Sequence, residues 1–191
     1  MPLFNPGGGT VAGGPPSGSG SFVGQQIQDT TYGVIWWWDG SAWHANGTGL
    51  IHVHVHLTSA PVLGTGTIIV PVNSVDDDPL SQWNAAGHYW ACPLTGWYMA
   101  AGAITFDLNN GTQTMQSFLY DITDSAIVLY GSSWTLTSNA VPAGDPMSSS
   151  FASRALLTAG HHYALYMAQA GGNNVQMSNS STYLDLCWSS S

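Results

Sequence analysis

The stretch Trp90-Ala91-Cys92-Pro93-Leu94-Thr95-Gly96-Trp97-Tyr98 joins two apolar, aromatic segments, 88–92 and 97–107, each with the length and composition of a strand. Outward from it, short apolar runs and turns alternate in both directions. Candidate strands fall at 51–57, 67–72, 88–92, 97–107, 114–121, 126–130, 134–137, 151–158, 162–168 and 182–188. Turn-forming clusters separate them: Gly64-Thr65-Gly66, Asp76 to Pro79, Asn109-Asn110-Gly111, Pro142 to Pro146 and Gly171 to Asn174. Ten strands at this spacing, with no convincing helix, predict an all-β fold: a ten-stranded jelly-roll β-sandwich over residues 51–191.

Composition narrows the function classes. The 191 residues contain ten Asp, a single cation (Arg154), and neither Glu nor Lys, for a formal net charge of −9. A nucleic-acid partner is excluded, because displacing counterions from phosphate needs many cations. Charge-driven disorder is excluded too, since 44% of residues are hydrophobic and 9 Trp with 8 Tyr can build a core. Helix-favouring Glu and Lys are missing while Gly reaches 23 and Pro 10, which argues against long surface helices. No run of roughly 18 apolar residues suggests membrane insertion. Met1 is followed by Pro2-Leu3-Phe4-Asn5-Pro6 rather than a basic and then apolar leader, so assembly in the cytoplasm is expected. Asn46, Asn110 and Asn179 open Asn-x-Ser/Thr triplets, read as chance in a Ser/Thr-rich chain. Cys92 and Cys187 are too few for a disulfide framework; buried free thiols or one bridge remain open.

The N-terminal quarter divides in two. Residues 1–24 are rich in Gly, Pro and Ser and cannot pack a core, which predicts an extended docking arm. Leu3 and Phe4 are its apolar anchors, with Phe22 and Val23 at its far end. Residues 25–50 predict an aromatic β-hairpin: strand 32–38, an Asp39-Gly40 turn, and a return strand carrying Trp43. Consecutive Trp36, Trp37 and Trp38 must point to alternate faces of that strand. With Trp43 they are candidate contacts for a partner chain or a stacking ligand.

The segment from Trp90 to Tyr98 resembles an element of the globular head of complement subcomponent q, where an aromatic-x-Cys-Pro-x-x-Gly-x-Tyr run turns one strand into the next. Here that run is carried by Trp90, Cys92, Pro93, Gly96 and Tyr98. Several flanking pieces fit the same order: His56 to Pro61, Thr67 to Val72, Gln82-Trp83-Asn84, Leu156 to Leu165 and Tyr183 to Trp188. Three departures stand out: His161 where the family has Asp, Leu184-Asp185 in place of Ser-Gly, and one extra residue between Gly87 and Trp90. The resemblance spans about residues 52–188. It implies a jelly roll of the tumour-necrosis-factor type that assembles as a homotrimer and binds ligands.

Two clusters carry candidate chemistry. His52, His54 and His56 alternate with Val53 and Val55, so on a strand the imidazoles share one face. Near a threefold axis they would offer nitrogen ligands to a transition metal, a pattern that resembles the His-x-His repeats of trimeric phage tail fibres; unmetallated, exposed histidines are the alternative. Asp76, Asp77 and Asp78 offer oxygens for calcium, or form a solvated loop. Enzyme signatures are missing: there is no nucleophile elbow, no phosphate loop and no His-Glu-x-x-His. Asp107, Asp121 and Asp185 could serve two-carboxylate hydrolysis, but nothing in the sequence pairs them. These features together point to a non-enzymatic, trimeric structural protein of a bacteriophage virion. Residues 1–24 would dock it on other virion proteins, and its head would face outward at the tail tip or fibre to contact host-surface glycan. Capsid decoration and a free carbohydrate-binding lectin are the rival expectations.

Overall fold

A computed structural model describes residues 9–46, 50–107, 113–136, 146–171 and 174–190. Among these there is no helix, and sixteen strands form three sheets. The first sheet holds β1 (Thr10–Val11), β2 (Gln26–Asp29), β3 (Val34–Trp38) and β4 (Trp43–Asn46), in that order. The remaining strands are β5 (His52–His56), β6 (Val62–Leu63), β7 (Gly66–Ile69), β8 (Ser74–Asp77), β9 (Trp83–Asn84), β10 (Tyr89–Ala91), β11 (Gly96–Asp107), β12 (Gln113–Asp121), β13 (Ala126–Leu136), β14 (Pro146–Leu157), β15 (His162–Gly171) and β16 (Val175–Ser190).

These twelve form two six-stranded antiparallel sheets. One runs β14-β11-β16-β5-β8 with β6 beside β16, and the other runs β13-β12-β15-β10-β9 with β7 beside β15. From β6 onward the chain crosses between the two sheets at every connection except β9 to β10 and β12 to β13, which is a jelly-roll path. Each inner face is apolar because the sequence alternates with the pleat. Val53 and Val55 lie opposite Leu186 and Leu184, and Leu184 lies opposite Gly102. Tyr98, Trp188, Leu119, Leu165 and Trp90 complete a dry core. Gly102 is small for a reason: a Cβ there would meet the Phe151 ring at 2.5 Å.

Most expected strands are present, with altered ends. The two segments read as 126–130 and 134–137 are one strand, β13, bent by register shifts against β12. Three short strands of the two larger sheets were not legible, β6, β8 and β9, of which β8 runs through Asp76-Asp77, read above as a turn. The two-stranded hairpin expected over 25–50 is part of a four-stranded sheet, and its core residues Val34, Trp36 and Ala45 are continuous with the jelly-roll core.

The extended docking arm expected over 1–24 is, from residue 9 onward, folded back on its own chain. Thr10–Val11 pairs in parallel with β2, and the amides of Gly13 and Gly14 donate to the Asp29 carboxylate at 3.4 and 2.8 Å. Trp43 Nε1 donates to the Gly18 carbonyl at 2.9 Å, and a side chain at Gly20 would collide with the Trp38 indole. Glycine here permits left-handed backbone at Gly13 and Gly14 and close approach at Gly20, rather than flexibility. Leu3 and Phe4 lie outside the described residues, as do Asn110, the expected turn at 109–111 and all but the last residue of the turn expected from Pro142 to Pro146.

Candidate functional site

The Trp90–Tyr98 segment makes a turn that its own tyrosine closes. Tyr98 is fully buried and donates its hydroxyl to the Leu94 carbonyl at 2.6 Å, while its ring meets Trp90 edge-on at 5.5 Å. Tyr32 of the N-terminal sheet donates to the Pro93 carbonyl at 3.0 Å, seating that sheet on the turn. Burial pushes the Cys92 thiol up to about 11 and also raises Cys187, so neither is an activated thiolate. Both are free thiols; Cys92 is buried in the core and Cys187 half-buried. These residues build the turn that joins the two sheets.

The outward face of the β5 sheet gathers most of the remaining candidates. In β5 the histidines are half-exposed and Val53 and Val55 are fully buried, as a period of two dictates. Across the sheet the outward rows read His52–Cys187–Met99–Arg154, His54–Asp185–Ala101–Ala152 and His56–Tyr183–Ala103–Ser150. A β-bulge opposite His54 and Val55 makes Asp76 an extra residue, and it brings two consecutive aspartates toward the histidines. His52 Nε2 lies 2.7 Å from Asp77 Oδ2, and His56 Nδ1 lies 2.7 Å from Asp76 Oδ2. His54 approaches Asp76 at 3.4 Å and Asp185 at 3.5 Å, and its ring stacks near Tyr183. An open cleft of about 280 Å³ is lined by His54, His56, Asp76, Asn179, Thr182 and Tyr183.

The three adjacent aspartates do not converge. Asp76 and Asp77 serve the histidines, whereas Asp78 accepts from the Trp83 amide at 2.7 Å. Each imidazole is therefore held by a carboxylate within its own chain.

Beside the histidine row the same face is apolar. Trp97, Met99 and Leu156 are 40%, 50% and 56% exposed, and the Arg154 guanidinium sits 5.1 Å from the centre of the Trp97 ring. Sequence reading did not single out this stripe, although the period-two partners of buried Tyr98, Ala100 and Leu157 would have located it.

The tryptophans split between faces. Trp36 and Trp38 are buried and cannot be reached by a ligand, which corrects their place among candidate contacts. Trp37 and Trp43 are half-exposed, Trp37 lying 4.9 Å from the His44 ring. Phe22 and Val23 stand exposed beside this sheet. A second aromatic group escaped notice in the sequence: Tyr120 and Tyr166 lie 4.6 Å apart, centre to centre, on the outward face of β12 and β15, with Tyr130 exposed on β13.

The strand order defines a jelly roll, and its fold is similar to those of solved tumour-necrosis-factor-like and complement-head domains. The globular domain of zebrafish complement 1qA protein is similar at a TM-score of 0.50 and 10% identity, over 72% of this chain and 95% of that one. Murine APRIL at pH 5.0 is similar at a TM-score of 0.52 and 13% identity, over 72% of this chain and 97% of that one. Eiger TNF from S. frugiperda gives 0.46 at 18% identity, over 72% and 91% of the two chains. No protein-family model matches this chain, and no curated protein matches it in sequence.

Proposed function

We propose that the chain is a non-enzymatic structural and attachment protein of a bacteriophage virion that works as a homotrimer. The observation that carries self-association is the exposed stripe of Trp97, Met99 and Leu156 on the β11/β14 side of the β5 sheet. A sheet face this apolar on an isolated chain favours burial against another copy. These three side chains are uncharged, and the neighbouring Arg154 guanidinium lies over the Trp97 ring, so packing on this stripe desolvates few ions. Docking on other virion proteins falls to the N-terminal segment, through Leu3 and Phe4 and the exposed Phe22 and Val23.

The test of docking is virion incorporation of a chain lacking residues 1–8 and carrying Phe22→Ser and Val23→Ser, changes that leave the β1–β4 strands in place. Loss of the truncated chain from particles, with normal soluble expression, supports docking; full incorporation refutes it. Locating the protein in particle density separates the tail tip or fibre from capsid decoration.

Host-surface glycan contact is favoured by the Tyr120, Tyr166 and Tyr130 rings on the opposite sheet, because neighbouring rings with hydroxyl tips suit the apolar and polar faces of a sugar. With so little positive charge, this contact is expected to vary little with salt. A steep loss of cell binding at raised salt contradicts it.

A further inference from the structure

A separate cluster lies at the end of the sandwich where the β12–β13 turn meets the β14–β15 turn. Asp121 closes β12 and is nearly buried. Its Oδ1 accepts the amides of Thr123 and Asp124 at 2.9 and 3.2 Å, which fixes the carboxylate plane. Its Oδ2 faces His161 Nδ1 at 2.8 Å, and Asp124 Oδ2 lies 3.8 Å from the same nitrogen. The three ligand atoms all fall within 4.8 Å of one another.

Hydrogen bonds outside the three candidate ligands also hold this arrangement. The Ile122 amide donates to the His162 carbonyl at 2.8 Å, the His162 amide donates to Thr123 Oγ1 at 3.0 Å, and the Cys92 amide donates to the His161 carbonyl at 2.9 Å. Two turns from distant parts of the sequence are thus clamped with one nitrogen and two oxygens facing a common point. Bonds of about 2.1 Å to a single ion space its ligands about 3.0–3.4 Å apart, which the observed 2.8 and 3.8 Å separations bracket. Of the β5 histidines, by contrast, His52 faces Asp77 while His54 and His56 both approach Asp76, and among the described residues no three such ligand atoms there come equally close.

We propose that Asp121, Asp124 and His161 bind one divalent transition-metal ion, zinc before manganese, with water completing its coordination. An imidazole with two carboxylates is a borderline donor set, and zinc binds such sets more tightly than manganese does. Calcium fits poorly, because it takes six to eight oxygens and no nitrogen. Any proton on His161 Nδ1 passes to solvent as the metal–nitrogen bond forms. The ion would tie the β12–β13 turn to the β14–β15 turn.

The test titrates zinc chloride into the chelator-treated full-length chain, calorimetrically and by thermal melting, beside Asp124→Asn, His161→Ala and His54→Ala. Wild type and His54→Ala are expected to take up a component of one ion per chain that raises the melting temperature. Asp124→Asn is expected to weaken that component at least tenfold, and His161→Ala more. Asp124 is largely exposed, so its substitution keeps the fold and the comparison valid even if His161→Ala misfolds. No zinc uptake, or uptake that Asp124→Asn leaves within threefold of wild type, overturns the proposal.

Discussion

At the scale of single residues, two buried polar groups do disproportionate structural work. Asp29 is wholly buried and accepts from the amides of Gly13, Gly14, Thr31 and Tyr32 and from the Trp36 indole. Burial pushes its carboxyl upward, but the donors, Gly14 first, outweigh burial and hold it below its ordinary value. A depressed folded value means that the contribution to stability is complete above the unfolded value, about 3.9, and is lost as pH falls through the folded one. Acid titration followed by tryptophan fluorescence should therefore loosen the N-terminal sheet below about pH 4 in wild type. Asp29→Asn should remove that transition and cost about 1–3 kcal/mol at neutral pH, because its amide cannot accept from all of these donors. Tyr98→Phe should cost about 1–2 kcal/mol in denaturant unfolding, since it deletes the hydroxyl that satisfies the buried Leu94 carbonyl.

At the scale of elements, β5 shows what a period of two achieves and where it stops. Val55→Ala should cost about 2 kcal/mol, because Val55 is fully buried against Leu184. His54→Ala should change stability by less than about 0.5 kcal/mol, because its carboxylate contacts are long and half-exposed. Equal costs for the two substitutions in urea unfolding would contradict this division of faces. The alternation His-Val-His-Val-His made this strand legible in the sequence. The β8 strand was not legible, because Asp-Asp-Asp-Pro carries every local mark of a turn, and only pairing with β5 makes its first two aspartates a bulged edge strand. Glycines at 13, 14 and 20 misled in the same way. Composition cannot distinguish glycine that loosens a chain from glycine that lets backbone lie against Trp38 or turn toward Asp29. The Asp121–Asp124–His161 cluster was hidden for a third reason: its members are distant in sequence and meet only through the two clamped turns.

At the scale of the whole molecule, the jelly roll and its outward faces set the division of labour. One sheet presents the Trp97–Met99–Leu156 stripe beside the β5 histidines, and the other presents the Tyr120–Tyr166 pair. If the first face is where copies meet, a charge placed on it breaks the assembly without unfolding the chain, because Met99 points away from the core. Sedimentation equilibrium of the purified full-length chain, wild type beside Met99→Asp, measures this most directly. Wild type should sediment at three times the 20.1 kDa chain mass, and Met99→Asp at one chain mass with an unchanged far-ultraviolet circular dichroism spectrum. A wild-type chain that stays monomeric at micromolar concentration, or a Met99→Asp chain that stays trimeric, would contradict the assignment of that face.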